Sequence, residues 1–218
     1  MLDFQYRQPP NDYPTSDGKP MAETDWHRDQ MVELIGTLKL FFRERTDVYV
    51  SGNLLWFYQE GDRRRHVSPD VLVRVGAPRG NRLNYLQWQE GGAPQVVFEL
   101  TSKTTRREDI GRKHTLYEEQ GVEEYYLFDP LGDYLKPRFR TFHRHGGRFV
   151  AVLGDQVYSA WLDLNLRVHD NKLRLFCPRT DAMLPTPEEL GEHAEEQSER
   201  ADREADRADR EADRAARE

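Results

Sequence analysis

A strand–helix–strand segment in the middle of the chain constrains the fold more than any other part of the sequence. Val96–Leu100 is a short apolar strand that the carboxylate of Glu99 interrupts. Thr105–Gln120 has the apolar spacing of a helix, and Tyr125–Phe128 is a second strand of the buried type. This order predicts a βαβ unit with two parallel strands, and therefore a sheet with a helix packed against it.

Capping signals mark the ends of two predicted helices. Thr24 is a suitable N-cap for a first helix that runs to about Arg45, and His27 lies near the middle of its apolar face. That face comprises Met31, Leu34, Ile35, Leu38, Phe41 and Phe42. Thr105 and Glu108 form a predicted capping box at the start of the second helix, and Gly121 is suited to end it.

Further strands are predicted on both sides of this unit. Residues 48–50, 54–58 and 71–75 are rich in β-branched and aromatic side chains, whereas residues 76–94 have the composition of a loop. Residues 138–176 predict an antiparallel ribbon, whose turns are Gly146-Gly147 and Asp170-Asn171.

The acidic balance of the chain belongs to its C-terminus. The whole chain has a formal net charge of −7, and residues 188–218 alone contain 13 acidic and 6 basic side chains. The remainder is therefore close to neutral, which is evidence against a tight, sequence-independent DNA binder. The composition predicts an irregular, Pro-rich arm at 1–22, one domain at 23–184 and a charged helical tail at 185–218.

The tail repeats the sequence ADREADR at 201–207 and 208–214. Its alanines are spaced four and three residues apart, which is the a/d pattern of a coiled coil and is compatible with a homodimer. Alanine buries little apolar area, so such a seam would be weak, and a single solvated helix with Asp/Glu–Arg pairs is the favoured interpretation.

The compartment is predicted from cysteine usage and from hydropathy. Cys177 is the only cysteine, so an intrachain disulfide is excluded and a reducing, cytoplasmic location is expected. No apolar run approaches the roughly 20 residues that span a bilayer, so no membrane partner is expected.

Two carboxylates occur where an unpaired charge is costly. Asp70 opens the strand Val71–Val75, and Glu99 lies within an apolar strand. The economical explanation is that both face one site and share a hard cation. Mg²⁺ prefers oxygen ligands and keeps several waters, so two side chains and a backbone carbonyl suffice, and the carbonyl of Leu100 is the candidate third ligand.

A hydrolytic metal site also needs a positive charge near the attacking water or the phosphate. Lys113 shares a helix face with Ile110 and Tyr117, the face expected to pack on the sheet. Lys103 is closer to Glu99 in sequence, but it lies in a polar turn and is expected to be solvated. Lys113 is therefore the predicted lysine of the site.

Structural roles compete with this interpretation. Asp70 follows a proline and could cap a turn, and Glu99 could form a buried ion pair with Lys113. Asp109 and Lys113 are four residues apart and could simply stabilise the helix. His27 could be a satisfied core histidine.

The same residues carry a resemblance to a known family. The run VSPDVLVRVG … PQVVFELTSKTTRREDIGRKHTLYEEQGVEEYYLFDP resembles the Uma-type "putative restriction endonucleases" of the PD-(D/E)XK nuclease superfamily. ETDWHRDQMVELIGTLKLFF and DVYVSGNLLWFYQEG, which precede it, belong to the same similarity. The resemblance covers about residues 23–184, and the chain looks like a cyanobacterial-type member.

The resemblance implies an α/β fold with a restriction-endonuclease-like core, in which helices flank a mixed sheet. It implies that Asp70 is the aspartate of the PD motif and Glu99 the glutamate of the (D/E)XK motif. Thr101 stands where the superfamily pattern has lysine, and Lys113 matches a lysine on the following helix. His27 matches a histidine of the first helix and joins the catalytic candidates.

Three further positions, Tyr117, Tyr125 and Asp129, match family positions that look structural.

The residues and the resemblance together predict a Mg²⁺-dependent endonuclease, with Mn²⁺ as an alternative ion, that hydrolyses DNA phosphodiester bonds. The alternative is a catalytically degenerate nuclease-fold module that uses its C-terminal helix to self-associate or to dock a partner. Thr101, the neutral body and the acidic tail favour that alternative.

Overall fold

The structure is a computed structural model that describes residues 6–7, 11–16, 18 and 24–215. The chain separates into two compact units, Met1–Leu184 and Pro185–Glu218, which are described one at a time. Most of the predicted arm at 1–22 lies outside the described residues.

The first unit contains short helices and many strands. Its helical segments are α1 (Asp25–Phe41), α2 (Arg106–Glu108), a π-helical turn (Asp109–Lys113) and α3 (His114–Gln120). Its strands are β1 (Tyr6–Arg7), β2 (Val48–Ser51), β3 (Trp56–Phe57), β4 (His66–Val67), β5 (Val71–Val75), β6 (Gly80–Asn81), β7 (Tyr85–Leu86), β8 (Val96–Leu100), β9 (Glu124–Phe128), β10 (Phe139–His145), β11 (Arg148–Val152), β12 (Gln156–Ser159), β13 (Leu164–His169) and β14 (Lys172–Phe176).

A six-stranded mixed sheet is the centre of this unit, in the order β11-β10-β9-β8-β5-β2. β8 and β9 pair in parallel, with Val96 opposite Glu124 and Leu100 opposite Phe128, which confirms the predicted βαβ unit. β5 runs antiparallel to β8, with Val71 opposite Phe98, so the start of β5 meets the end of β8.

Both faces of the sheet are covered. On one face, Val96, Phe98 and Leu100 belong to the same core as α1 and the sheet β12-β13-β14. On the other face, Val97 packs with Tyr117 of α3 and with the small strands β3 and β7. Because successive side chains of a strand point to opposite faces, Glu99 lies on the side of α3.

Helix α1 begins as predicted, because the Thr24 hydroxyl accepts a hydrogen bond from the His27 N–H at 3.3 Å. Its buried face packs on the sheet through Met31, Leu34 and Leu38. Phe41, which was assigned to the apolar stripe, is instead 39% exposed at the end of the helix.

The second helix differs from the prediction in two ways. Thr105 makes no side-chain cap; its hydroxyl accepts from the Ser102 N–H at 3.0 Å, so the predicted capping box is absent. A π-helical turn, Asp109–Lys113, also interrupts the α-helix. Asp109, at its start, is buried and Ile110 is exposed, against the prediction for Ile110. Gly121 ends the helix at φ +89°, as expected.

The two predicted turns are confirmed, whereas the strands of two other regions differ from the prediction. Gly146-Gly147 joins β10 to β11, and Asp170-Asn171 joins β13 to β14. The predicted ribbon at 138–176 contributes to two sheets, because β10 and β11 extend the central sheet and β12–β14 form their own. The predicted loop at 76–94 contains the short strands β6 and β7.

The second unit is the helix α4 (Pro187–Ala215), in the position of the predicted tail. It begins with a capping box that was not predicted: the Glu189 N–H donates to the Thr186 hydroxyl, and the Thr186 N–H donates to the Glu189 carboxylate. Among all described residues, no helix is long and apolar enough to cross a membrane.

Candidate active site

The end of β8 and the start of β5 bring two predicted carboxylates to one place. Asp70 directly precedes β5, and its Oδ2 accepts a hydrogen bond from the Leu100 N–H at 2.6 Å. His27, near the start of α1, reaches the same oxygen, with Nε2 at 3.3 Å. Asp70 is therefore fixed to β8 and to α1 rather than used as the cap of a turn.

Glu99 is almost fully buried and uses both carboxylate oxygens. Lys113 Nζ lies 2.7 Å from Oε2, and the Tyr117 hydroxyl donates to Oε1 at 2.5 Å. Tyr117 is held in turn by parallel stacking on Trp56. The structure thus brings Asp70, Glu99 and Lys113 together, and gives Tyr117 a direct contact with the site.

Asp109 is a third buried carboxylate, which sequence reasoning treated only as a helix pair. It is 1% exposed, and its Oδ1 lies 3.4 Å from Lys113 Nζ. Within the described part of the chain, neither carboxylate oxygen receives a hydrogen bond of normal geometry. The Tyr125 hydroxyl donates to the main-chain carbonyl of Asp109 at 2.9 Å and so anchors the π-helical turn to β9.

Position 101 departs from the superfamily pattern in a specific way. Thr101 is buried, and its hydroxyl has no hydrogen-bond partner among the residues described. Lys103, two residues later, is exposed, as expected. The ammonium group that reaches Glu99 therefore comes from the helix, through Lys113.

A glycine supports the Asp70 corner and was not singled out from the sequence. A Cβ atom added to Gly52 would lie 2.0 Å from the carbonyl oxygen of Asp70 and 2.6 Å from Ile35 Cδ1. No side chain fits at this close approach of two backbones. The only sequence signal was a glycine directly after the strand β2, which by itself indicates a turn.

Asp129 has the structural role that the resemblance implied. Its carboxylate accepts hydrogen bonds from the backbone N–H groups of Leu131, Gly132, Tyr134 and Leu135. The side chain thus shapes the loop that follows β9.

Burial and like charges shift the pKa values of the cluster in different directions. Burial raises the pKa of Glu99 well above its ordinary value, against the attraction of Lys113, and the charges of Asp70 and Asp109 add to the rise. Burial also raises the pKa of Asp109, against the effects of Lys113 and Thr105. Burial alone would raise the pKa of Asp70, but His27 and Lys113 hold it below its ordinary value.

The positive groups do not balance these carboxylates. Burial would lower the pKa of Lys113, but Glu99 and Asp109 raise it above its ordinary value, so its ammonium stays charged. One ammonium and one imidazole therefore face three buried carboxylates. An excess of buried oxygen ligands with negative charge is chemically suited to a hard divalent cation.

The side chains present suit a metal site with few protein ligands. In the described residues, no group of three or more His, Cys, Asp or Glu side chains is arranged to hold a metal. Two carboxylates and the carbonyl of Leu100 do not require such a group, because Mg²⁺ retains several waters. The carboxylate oxygens of Asp70 and Glu99 are of the kind that a hard divalent cation prefers.

A family model and a solved structure show what this chain is similar to. The Uma2 family, described as "Putative restriction endonuclease", matches residues 2–157. Among solved structures, the crystal structure of "a putative nuclease belonging to DUF820 from Anabaena variabilis" is similar, with 14% sequence identity and a TM-score of 0.48, over 66% of this chain and 76% of that chain. A search of the curated proteins found no match. Because the family match spans well over half of the chain, this protein belongs to the Uma2 family.

Proposed function

We propose that this protein is a divalent-metal-dependent endonuclease that hydrolyses phosphodiester bonds in DNA. The observation that supports the proposal is the contact of two buried carboxylates, Glu99 and Asp109, with the ammonium of Lys113, with the charge of Asp70 close enough to act on Lys113 as well. Such a cluster is costly to bury, and a structural ion pair needs only one carboxylate for one lysine.

In this proposal, Asp70, Glu99 and the carbonyl of Leu100 hold Mg²⁺ or Mn²⁺. The bound ion would supply a lowered pKa for its water and would stabilise the charge that develops on the phosphate. Lys113 orients the attacking water or neutralises the phosphate. The His27 contact keeps Asp70 in place, and Tyr117 does the same for Glu99.

DNA as the substrate is proposed from the family and from chemistry at the mouth of the site. Arg106 and Arg107 are exposed at the start of α2, three and two residues before Asp109, where they are suited to contact phosphates. The near-neutral body implies few phosphate contacts, and so a shallow dependence of binding on salt.

The test combines melting temperature and cleavage for wild type and for Asp70→Ala/Glu99→Ala. Binding at 100 times Kd stabilises the native state by about 2.7 kcal/mol, so Mg²⁺ and Mn²⁺ should raise the melting temperature above its value in EDTA. The double variant should fold and lose both this rise and the cleavage of supercoiled plasmid DNA. Wild type that neither responds to metal nor cleaves DNA would overturn the proposal in favour of a non-catalytic binding module.

Two further proposals concern the whole chain. Self-association through α4 is the proposal for the tail, supported by its alanine spacing, and deletion of residues 188–218 tests it. Light scattering that gives the same oligomeric state with and without the tail would contradict it. The single cysteine, Cys177, supports a reducing cytoplasm as the location.

A further inference from the structure

Asp109 and Glu99 share one lysine. Lys113 Nζ lies 2.7 Å from Glu99 Oε2 and 3.4 Å from Asp109 Oδ1, so the closer contact is to Glu99. All three side chains are largely or fully buried, and the neighbouring Asp70 adds a further negative charge. Asp109 is therefore a second carboxylate on the same lysine that contacts Glu99, which the proposed function assigns to a metal.

Asp109 does not behave like an ordinary helix-stabilising partner. The pair formed by Glu108 and Arg112, one residue earlier on the same helix, has the same four-residue spacing and is solvated. Asp109 instead loses its hydration, and neither of its oxygens gains a well-aligned hydrogen bond within the described residues. Burying a carboxylate in this way opposes folding, so helix stability does not explain it.

The backbone is arranged to keep Asp109 inside. Asp109 opens the π-helical turn Asp109–Lys113 and is buried, whereas Ile110 beside it is exposed. The Tyr125 hydroxyl donates to the main-chain carbonyl of Asp109 and ties this turn to β9. Single π-helical turns occur frequently at functional sites. The turn thus holds Asp109 in contact with Lys113, four residues later.

We propose that Asp109 is a positioning residue that retains Lys113 when Glu99 turns from the lysine to a divalent cation. This inference rests on the proposed function. A cation held by Asp70 and Glu99 would repel the ammonium group and take its closest partner from it. Asp109, whose Oδ1 already lies 3.4 Å from Nζ, would keep the Lys113 side chain in place at the site. Without Asp109, the lysine would stay on Glu99 and compete with the metal.

The test compares Asp109→Asn with Glu108→Gln, the matched change in the exposed pair. Partners that support metal ligands typically contribute 10–100-fold to affinity or activity. We therefore expect Asp109→Asn to weaken Mn²⁺ binding, measured by calorimetry on the full chain, by about 10–100-fold. Its kcat on supercoiled plasmid DNA should fall while KM is unchanged. Asp109→Glu, which keeps the charge, should recover part of both losses, and Glu108→Gln should change neither.

A purely structural role predicts the reverse pattern. Asp109→Asn would then lower the melting temperature in EDTA but leave the Mn²⁺ affinity and kcat at wild-type values, and this result overturns the inference. Wild type that binds no Mn²⁺ overturns the proposed function and this inference with it. Wild-type binding that Asp109→Asn fully retains overturns the inference alone.

A second variant covers the case in which Asp109→Asn does not fold. Asp109→Asn/Lys113→Met removes both charges together and leaves no unpaired ammonium. If Asp109 acts through Lys113, the double variant has the same kcat as Lys113→Met. A kcat clearly below that of Lys113→Met would show that Asp109 acts in another way and would overturn the inference.

Discussion

Two buried glutamates lie on the neighbouring parallel strands β8 and β9, and their surroundings differ in kind. Glu124, at the start of β9, receives hydrogen bonds from the hydroxyls of Tyr126 and Ser159 and from the N–H groups of Ala160 and Trp161. Every one of these donors is neutral, and together they join the central sheet to the end of β12.

Glu99, near the end of β8, is surrounded instead by charges. It contacts Lys113 and Tyr117, and the like charges of Asp70 and Asp109 act on it. A carboxylate with neutral donors on both oxygens is stable without any added ion. A carboxylate among other carboxylates is stable only with extra positive charge. The difference separates a structural glutamate from a candidate ligand more clearly than burial, which is nearly the same for both.

The largest effect should come from removing the shared ammonium. We expect Lys113→Met to slow plasmid cleavage by about 10²–10³-fold, or about 2.7–4 kcal/mol in activation free energy, because a preorganised charge is lost. Adding Thr101→Lys should recover part of this rate. Thr101 is buried two residues after Glu99, and its hydroxyl has no hydrogen-bond partner among the described residues. Lys103→Met, an exposed neighbour, is the control. Cleavage by Lys113→Met at the wild-type rate would remove Lys113 from the site.

The next-largest effect is expected from substitution of Glu124, the structural glutamate. Glu124→Ala leaves several buried donors without an acceptor, each worth about 1–3 kcal/mol, so we expect at least about 3 kcal/mol of destabilisation. Glu99→Gln in EDTA should cost little or be stabilising, because it relieves repulsion among the carboxylates. Urea unfolding of both variants measures these free energies. Equal losses would contradict the distinction between the two glutamates.

Substitution of Gly52, which packs against the backbone of Asp70, should have a smaller and more local effect on stability. Gly52→Ala should destabilise the fold by about 1–3 kcal/mol, because the new Cβ overlaps the Asp70 carbonyl. It should also weaken metal binding by displacing Asp70. Gly111→Ala is the matched control, since a Cβ there meets nothing within 4 Å and alanine is the better helix former. A Gly52→Ala protein with wild-type stability and metal affinity would show that the corner can adapt.

The pH dependence of the stability of the metal-free protein is expected to be the most gradual of these effects. The pKa values of Glu99 and Asp109 are raised on folding, so the folded state holds protons that the unfolded state has released. The stability that these two groups contribute is therefore fully present below their ordinary pKa values of 4.5 and 3.8. It is lost as pH rises towards the folded pKa values, by at most about 1.4 kcal/mol per pH unit for each group. The lowered pKa of Asp70 acts in the opposite direction, but only below about pH 3.8.

The melting temperature in EDTA between pH 5 and pH 8 measures this effect. We expect it to fall with rising pH in wild type and to fall less in Glu99→Gln, which has no proton to release. Saturating Mg²⁺ should remove most of the slope, because the ion replaces the proton as the source of positive charge. An identical slope in Glu99→Gln would contradict the assignment of the effect to this cluster.

Local patterns along the chain were sufficient for much of the fold. Residue type and spacing predicted β8, the helix after it and β9, and also the cap at Thr24 and the glycine end at Gly121. The proximity of Asp70, Glu99 and Lys113 was predicted as well, because charged groups in apolar strands and on a packed helix face have few other partners. These inferences needed only neighbouring residues, or the high cost of an isolated buried charge.

The tertiary structure decided the rest, because those features depend on contacts between residues far apart in sequence. Asp109, at the start of the π-helical turn, is buried, and Tyr125 from β9 donates a hydrogen bond to its main-chain carbonyl. Gly52 matters only because the folded chain brings Asp70 against it. The sequence by itself thus determined which groups must be kept from water. How the helix and strands pack determined whether each buried carboxylate meets neutral donors, as Glu124 does, or other charges, as Glu99 does.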